Sequence, residues 1–344
     1  MMRKKSFASD NNSGIHPSVL DAIIRANEGH CIGYGDDPYT NKAIKAFKKT
    51  FGENCDIYFV LNGTGANVLG LKAVTKPFQA IICTDVSHLN MDECGAPESL
   101  IGAKLLQVKN TNGKLSIEQL EDFLSFKGNE HHAQPRIVSI TQATELGTVY
   151  TPDEILKISE FVHKNNMLLH MDGARVSNAA AYLGTTLKEI TGDVGVDILS
   201  FGGTKNGLMM AEAVVFFDRL LSKEFKYIRK QGLHLVSKMR YVSAQFEPYL
   251  NENLWLMNAQ KANKMATMLK EKLSTLSFCK IVYPVQSNAV FLTLPHSVAE
   301  KLRKEYFFYY WDEKKPIIRL MTSFDTEEKD IEEFVQTLKN LSES

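Results

Sequence analysis

Met167-Leu168-Leu169-His170-Met171-Asp172-Gly173-Ala174-Arg175 is an apolar run that delivers a carboxylate, two small residues and an arginine. The apolar part predicts a buried strand from Met167 to Met171, and the Gly-Ala pair predicts a turn at its carboxyl end. In open α/β sheets ligands bind at that end of the strands, which makes Asp172 and Arg175 site candidates. The same residues also read as a helix cap and its surface ion-pair partner, so the segment alone leaves both readings open. His170, inside the strand, reads as structural.

Working outward, short β-branched runs alternate with longer amphipathic stretches. Ile57 to Leu61, Ala80 to Thr84, Lys104 to Lys109, Arg136 to Thr141, Asp197 to Phe201 and Glu212 to Phe217 join Met167 to Met171 as seven strands of one large, mainly parallel sheet. The class is α/β. Thr151-Pro152-Asp153-Glu154 opens a helix with a hydroxyl cap, a proline in the first turn and two acids, running to about Asn165. After Phe217 the periodicity turns helical over Leu220 to Leu250 and Leu254 to Leu276. The remainder reads strand (Ile281 to Tyr283), strand (Ala289 to Leu294), helix (Ser297 to Glu305), strand (Ile317 to Thr322) and helix (Thr326 to Leu341). This predicts a large domain over 1–250, with an N-terminal arm, and a small α+β domain over 251–344.

Composition narrows the partners. Forty basic residues balance forty acidic ones in 344, which leaves no electrostatic footprint for nucleic acid or an anionic membrane. The five cysteines are scattered without a C-x-x-C pair, as expected of a reducing compartment rather than a disulfide framework or a zinc site. Met1-Met2-Arg3-Lys4-Lys5 resembles a signal n-region, but Ser9-Asp10-Asn11-Asn12-Ser13-Gly14 stands where an apolar segment is required; the expected location is the cytoplasm. Lys42, Lys45, Lys48 and Lys49 read as a solvated helix face, His131-His132 as a surface loop, and Tyr306 to Trp311 as packing of the small domain.

Two further strand ends carry chemistry. Phe59-Val60-Leu61-Asn62-Gly63-Thr64-Gly65-Ala66-Asn67 passes from strand through a small-residue turn into a helix, where free backbone N–H groups and the Thr64 hydroxyl suit a phosphate. Ile198-Leu199-Ser200-Phe201-Gly202-Gly203-Thr204-Lys205-Asn206-Gly207 places one lysine among small residues; it reads either as an outer-face lysine or as an amine in a cleft, where desolvation and nearby cations lower the pKa enough for Schiff-base chemistry. A phosphate cradle, an acid for a ring nitrogen and such a lysine together are what pyridoxal 5'-phosphate (PLP) requires.

Taken with Ser9-Asp10, His16-Pro17, Tyr34-Gly35-Asp36-Asp37-Pro38, Ser87-His88 and Ile318-Arg319-Leu320-Met321-Thr322-Ser323, these segments resemble, over nearly the whole chain, the threonine aldolases of the β-eliminating lyase group. Those are PLP-dependent transferase-like enzymes of the aspartate-aminotransferase fold. The stretches from His88 to Glu98 and from Ser200 to Gly207 look closer to the phenylserine aldolase branch. The resemblance implies cleavage of a β-hydroxy-α-amino acid to glycine and an aldehyde, with Lys205 bonded to PLP, Asp172 on its ring nitrogen, His88 stacked on the ring and Gly63 and Thr64 on the phosphate. Ser9, Arg175 and Arg319 match positions that bind the amino-acid carboxylate. Lys230, Arg240 and Tyr34 resemble residues that a neighbouring subunit sends to the site, which implies a homodimer or homotetramer. One departure stands out: Thr144-Glu145-Leu146-Gly147 replaces a Thr-His-Asn-Gly stretch of many family members, so Glu145 is a candidate to accept the substrate hydroxyl proton. β-Elimination, racemisation and transamination use the same cradle, acid and lysine, and a non-catalytic protein of this fold is the remaining alternative.

Overall fold

In the computed structural model, residues 4–312 and 316–343 are described; the Met1-Met2-Arg3 start of the charged leader lies outside them. The alternating runs form β1 (Asp56–Val60), β2 (Gln79–Thr84), β3 (Lys104–Val108), β4 (Gln134–Thr141), β5 (Leu168–Gly173), β6 (Ile198–Gly202) and β7 (Glu212–Phe216). They make one sheet in the order β1-β7-β6-β5-β4-β2-β3, in which β7 runs antiparallel to both neighbours while the other pairs are parallel. The period-2 pleat sends adjacent residues to opposite faces. Ile82 and Val138 join one core, with Phe47, Phe59, Phe201 and Phe246, whereas Ile81 and Ile137 join another with Val68 and Leu71. The four phenylalanines are fully buried and meet ring to ring, Phe47 lying 5.0 Å from Phe246; each contributes about 1.5–3 kcal/mol of apolar burial. The Pro152–Lys164 helix has the expected start, a reciprocal capping box between Thr151 and Glu154.

The second sheet contains β8 (Lys280–Ile281), β9 (Ala289–Thr293), β10 (Tyr309–Asp312) and β11 (Ile317–Met321), antiparallel throughout in the order β10-β11-β9-β8. Its core includes Leu269, Val290, Leu320, Phe334 and also Phe7. The N-terminal arm therefore belongs structurally to this sheet, and Met321 N donates to the Phe7 carbonyl at 2.7 Å. The Leu254–Ser274 helix packs against both the Val176–Leu183 helix and the second sheet.

Two expectations change. The helical stretch from Leu220 to Leu250 is three short helices, Phe225–Gln231, Arg240–Ser243 and Phe246–Asn251. Leu233 takes a left-handed φ of 66° next to Gly232, which interrupts the periodicity. The aromatic run packs the second sheet only in part: Tyr306 and Phe308 are buried, Phe307 and Tyr309 exposed. That alternation leads into β10, which consecutive aromatic residues conceal in the sequence. Among the described residues no helix is long and apolar enough to cross a membrane.

His170 is structural, as expected. It lies fully buried in β5, its two ring nitrogens 2.8 Å and 3.0 Å from the Ser139 and Ser200 hydroxyls. Burial pushes its pKa down to about 4. An unfolded histidine titrates near 6.5, so between these values the unfolded state binds a proton that the folded state refuses. Stability is thus lost as pH falls from about 6.5 towards 4, by roughly 2 kcal/mol between pH 7 and 5. His170→Gln, which keeps a donor and an acceptor, is expected to flatten this slope in urea denaturation; an unchanged slope would assign it to other groups.

Candidate active site

The sheet aims its site residues by ending parallel strands at one edge. β5 terminates in Asp172 and Gly173, β6 leads through Gly202 and Gly203 to Lys205, and β1 leads into the Gly63–Lys72 helix. Gly202 permits this convergence, since a Cβ there would lie 2.5 Å from the Ala174 carbonyl oxygen. Gly63 faces open space and begins a helix whose cap, Asn62, takes only the Gly65 amide. The amides of Gly63 and Thr64 thereby remain available to an anion. At Gly65 the His234 ring occupies the place of a side chain, and its Nδ1 accepts from Leu61 N at 3.1 Å.

One turn further along that helix, buried Asn67 binds two carboxylates. Its Nδ2 donates to Asp172 Oδ2 at 2.8 Å and to Glu93 Oε1 at 2.9 Å, and Glu93 Oε1 also lies 2.9 Å from His88 Nδ1. His88, Glu93 and Asp172 thus form one cluster, with polar atoms within 4.8 Å of one another. The Ala174 amide donates to the other Asp172 oxygen at 3.0 Å. Burial pushes the Asp172 carboxyl up, but His88, Lys205 and these hydrogen bonds outweigh it and hold it below the usual carboxylate range. His88 is shifted upward, chiefly by its bond to Glu93.

Lys205 is coupled electrostatically to His88 and Asp172 of this cluster. Burial and then Arg175 lower its pKa, against Asp10, Asp172 and Glu212. Glu145 adjoins His88: its Oε1 accepts from His88 N at 2.9 Å and Thr141 Oγ1 at 2.7 Å, while Oε2 is buried without a partner. Burial pushes Glu145 up to about 7.

Arg175 and Arg319 differ in a way that their sequence signals do not show. Arg175 is engaged by Asp10 through Nε at 2.8 Å and Nη2 at 2.9 Å, and Asn288 Nδ2 donates to the same acid at 3.0 Å. Arg319, whose guanidinium lies 5.5 Å and 5.9 Å from the Trp311 and Tyr309 rings, keeps a buried, unpartnered Nε. Ser9 caps the short turn Asp10–Asn12 by accepting from Asn11 N. Tyr34, Lys230 and Arg240 are not hydrogen-bonded to this cluster among the described residues. The Lys230 ammonium sits 5.2 Å from the Tyr34 ring, and Arg240 donates to the Gly29 carbonyl at 3.1 Å, which gathers the three around the loop from Gly29 to Tyr34.

Asp10, Asn67, Glu93, Glu212 and Asn288 were not singled out from the sequence as site residues. Asn67, Asp10 and Glu93 lie within quoted stretches, but Glu93 follows His88 by five residues and stands beyond the end of the short His88–Met91 helix. No helix or strand period connects them.

Residues 6–296 match the Beta-eliminating lyase family. The chain belongs to that family. A low specificity L-threonine aldolase of Pseudomonas sp. (strain NCIMB 10558) is 40% identical to this lyase over 338 residues, 98% of each chain. The alanine racemase TOXG of Cochliobolus carbonum is 30% identical over 84% of this chain and 75% of its own. The solved structure of Leishmania major threonine aldolase superposes with a TM-score of 0.92 at 31% identity, covering 98% of this lyase and 99% of that chain. The large, mostly parallel sheet with its smaller antiparallel partner is thus the fold of PLP-dependent threonine aldolases.

Proposed function

We propose that this lyase cleaves the Cα–Cβ bond of a β-hydroxy-α-amino acid, of the threonine, allo-threonine or phenylserine type, to glycine and an aldehyde with PLP as cofactor. The observation that carries the reading is the convergence of Lys205, Asp172 and His88 at one sheet edge, with Asn67, one turn beyond the open amides of Gly63 and Thr64, bonded to Asp172. The residues fit PLP: free donors for a phosphate, an acid held ionised for a ring nitrogen, and a buried lysine of lowered pKa. Bound there, PLP supplies covalent attachment to an amino group and an electron sink for the cleaved bond.

Each side chain then has a task. The buried Nε of Arg319 meets the substrate carboxylate, while Asp10 fixes the direction in which Arg175 presents its remaining N–H groups; together they set the Cα–Cβ bond's orientation. Ser9 stands beside this pair on the arm. Glu93 occupies His88 Nδ1, so Nε2 is the ring nitrogen left to exchange a proton, and the His88 ring would help to hold the cofactor. Glu145, with a pKa of about 7 and a free Oε2, is suited near neutral pH to take the β-hydroxyl proton or hold the water that takes it. Tyr34, Lys230 and Arg240, gathered around the exposed loop from Gly29 to Tyr34, serve the site of a second subunit in a homodimer or a tetramer.

Aldehyde release from threonine, allo-threonine and phenylserine tests the reading against pyruvate release from serine and racemisation of alanine. The last is motivated by the TOXG similarity. Alanine racemised with no aldehyde formed would replace aldol cleavage by racemisation. For the clamp, Arg319→Leu is expected to raise KM about 10–100-fold, the loss of a charge-assisted hydrogen bond, with a smaller change in kcat. A fall in kcat at constant KM would remove Arg319 from carboxylate binding.

A further inference from the structure

Glu212 opens β7 directly behind the lysine turn, where the sheet register sets it opposite Gly202 of β6 and Val60 of β1. It precedes Ala213-Val214-Val215-Phe216, all buried and apolar, in a position where the core itself calls for no charge. Yet the carboxylate is buried and used at both oxygens. Oε2 accepts from Gly203 N at 2.8 Å and Oε1 from Thr204 N at 3.3 Å. These amides begin the single helical turn Thr204–Asn206 and have no partner within it. In return, Ala211 N donates to Thr204 Oγ1 at 3.2 Å.

The far side of the turn is held by neutral groups. Asn206 Nδ2 donates to Tyr249 Oη and the Trp255 carbonyl, and His16 N donates to the Gly207 carbonyl at 2.9 Å. The near side, the amides of the two residues immediately before Lys205, depends on Glu212 for its hydrogen bonds. Glycine flexibility makes that support matter, because Gly202 and Gly203 leave the backbone free to rotate wherever it is not bonded. Burying a carboxyl costs several kcal/mol unless its partners repay it, and here burial pushes Glu212 up to about 7 while Thr204, Gly203 and Lys205 oppose the shift.

We propose that Glu212 is a positioning residue that fixes the Gly203 and Thr204 amides and thereby aims the Lys205 amine at the cleft between Asp172 and His88. This rests on Lys205 being the amine that bonds PLP. In Glu212→Gln one oxygen becomes an NH2 that cannot accept, so one amide loses its partner while the volume is kept. In PLP-free protein, amide hydrogen exchange over 203–205 is expected to accelerate roughly tenfold or more, with β5 and β6 unchanged. After PLP is added, borohydride trapping on Lys205, located by peptide mapping, is expected to slow by a similar factor. Glu212→Asp, which keeps the carboxylate, is expected to fall between the two, and serves as the test should Glu212→Gln not fold. Wild-type rates of exchange and trapping in a folded variant overturn the role of Glu212 and leave the lysine assignment standing. Failure to trap PLP on Lys205 in the wild-type chain overturns both.

Discussion

Lys205→Ala is expected to lower kcat for aldehyde release by about 10⁴-fold or more, the scale of losing a covalent catalytic group, and to abolish the visible absorbance of a PLP–lysine adduct. The reason lies in its surroundings. The lysine sits at the end of β6, its charge disfavoured by burial and by Arg175, which favours the neutral amine that attacks an aldehyde. No neighbouring lysine in the 198–207 segment can substitute, because Lys205 is the only one there. Since Asp172, the Gly63–Thr64 turn and the arginines stand on other elements, the variant is expected to retain PLP non-covalently. A variant with unchanged absorbance and activity would remove the basis of the proposed chemistry.

Asp172→Asn is expected to reduce kcat by about 10²–10³-fold, with the KM of the amino acid changed far less. Its role concerns charge that develops in the ring as the bond breaks, and losses of that size accompany removal of one preorganised electrostatic partner. The wild-type carboxyl is held below its usual range by His88, Lys205, Asn67 and the Ala174 amide. It therefore stays ionised throughout the working pH range, and the acid limb of the activity profile belongs to other groups, Glu145 with its pKa of about 7 among them. Asparagine also sets its own NH2 against that of Asn67, or turns it toward the Ala174 amide, so the variant loses the charge and one hydrogen bond together. Parallel losses in kcat/KM and in inhibitor binding would show that Asp172 acts only by supporting the architecture.

The seven strands of the large sheet were legible because each is a short run rich in apolar residues, and burial of the central strands on both faces demands that composition. The Pro152–Lys164 helix was legible because its cap, proline and acids are local signals. The break from Leu220 to Leu250 was not, because a left-handed Leu233 carries no compositional mark, and β10 was hidden by six aromatic residues in succession. At the site, Lys205, Asp172 and the Gly63–Thr64 turn stood out because each ends a recognisable strand.

The sequence by itself determined the class of fold, the order of the strands along the chain and the three strand ends where chemistry resides, since these follow from periodicity and turn residues within a few positions. Only the tertiary structure decided which groups meet there. It set Glu93 on His88, Asn67 between two carboxylates, Asp10 on Arg175 and Glu212 behind Lys205, leaving Arg319 with an unpaired donor. Those pairings join residues as far apart as 10 and 175. Their geometry is set by which strands lie side by side and by the space that burial leaves, and neither is written in any local pattern.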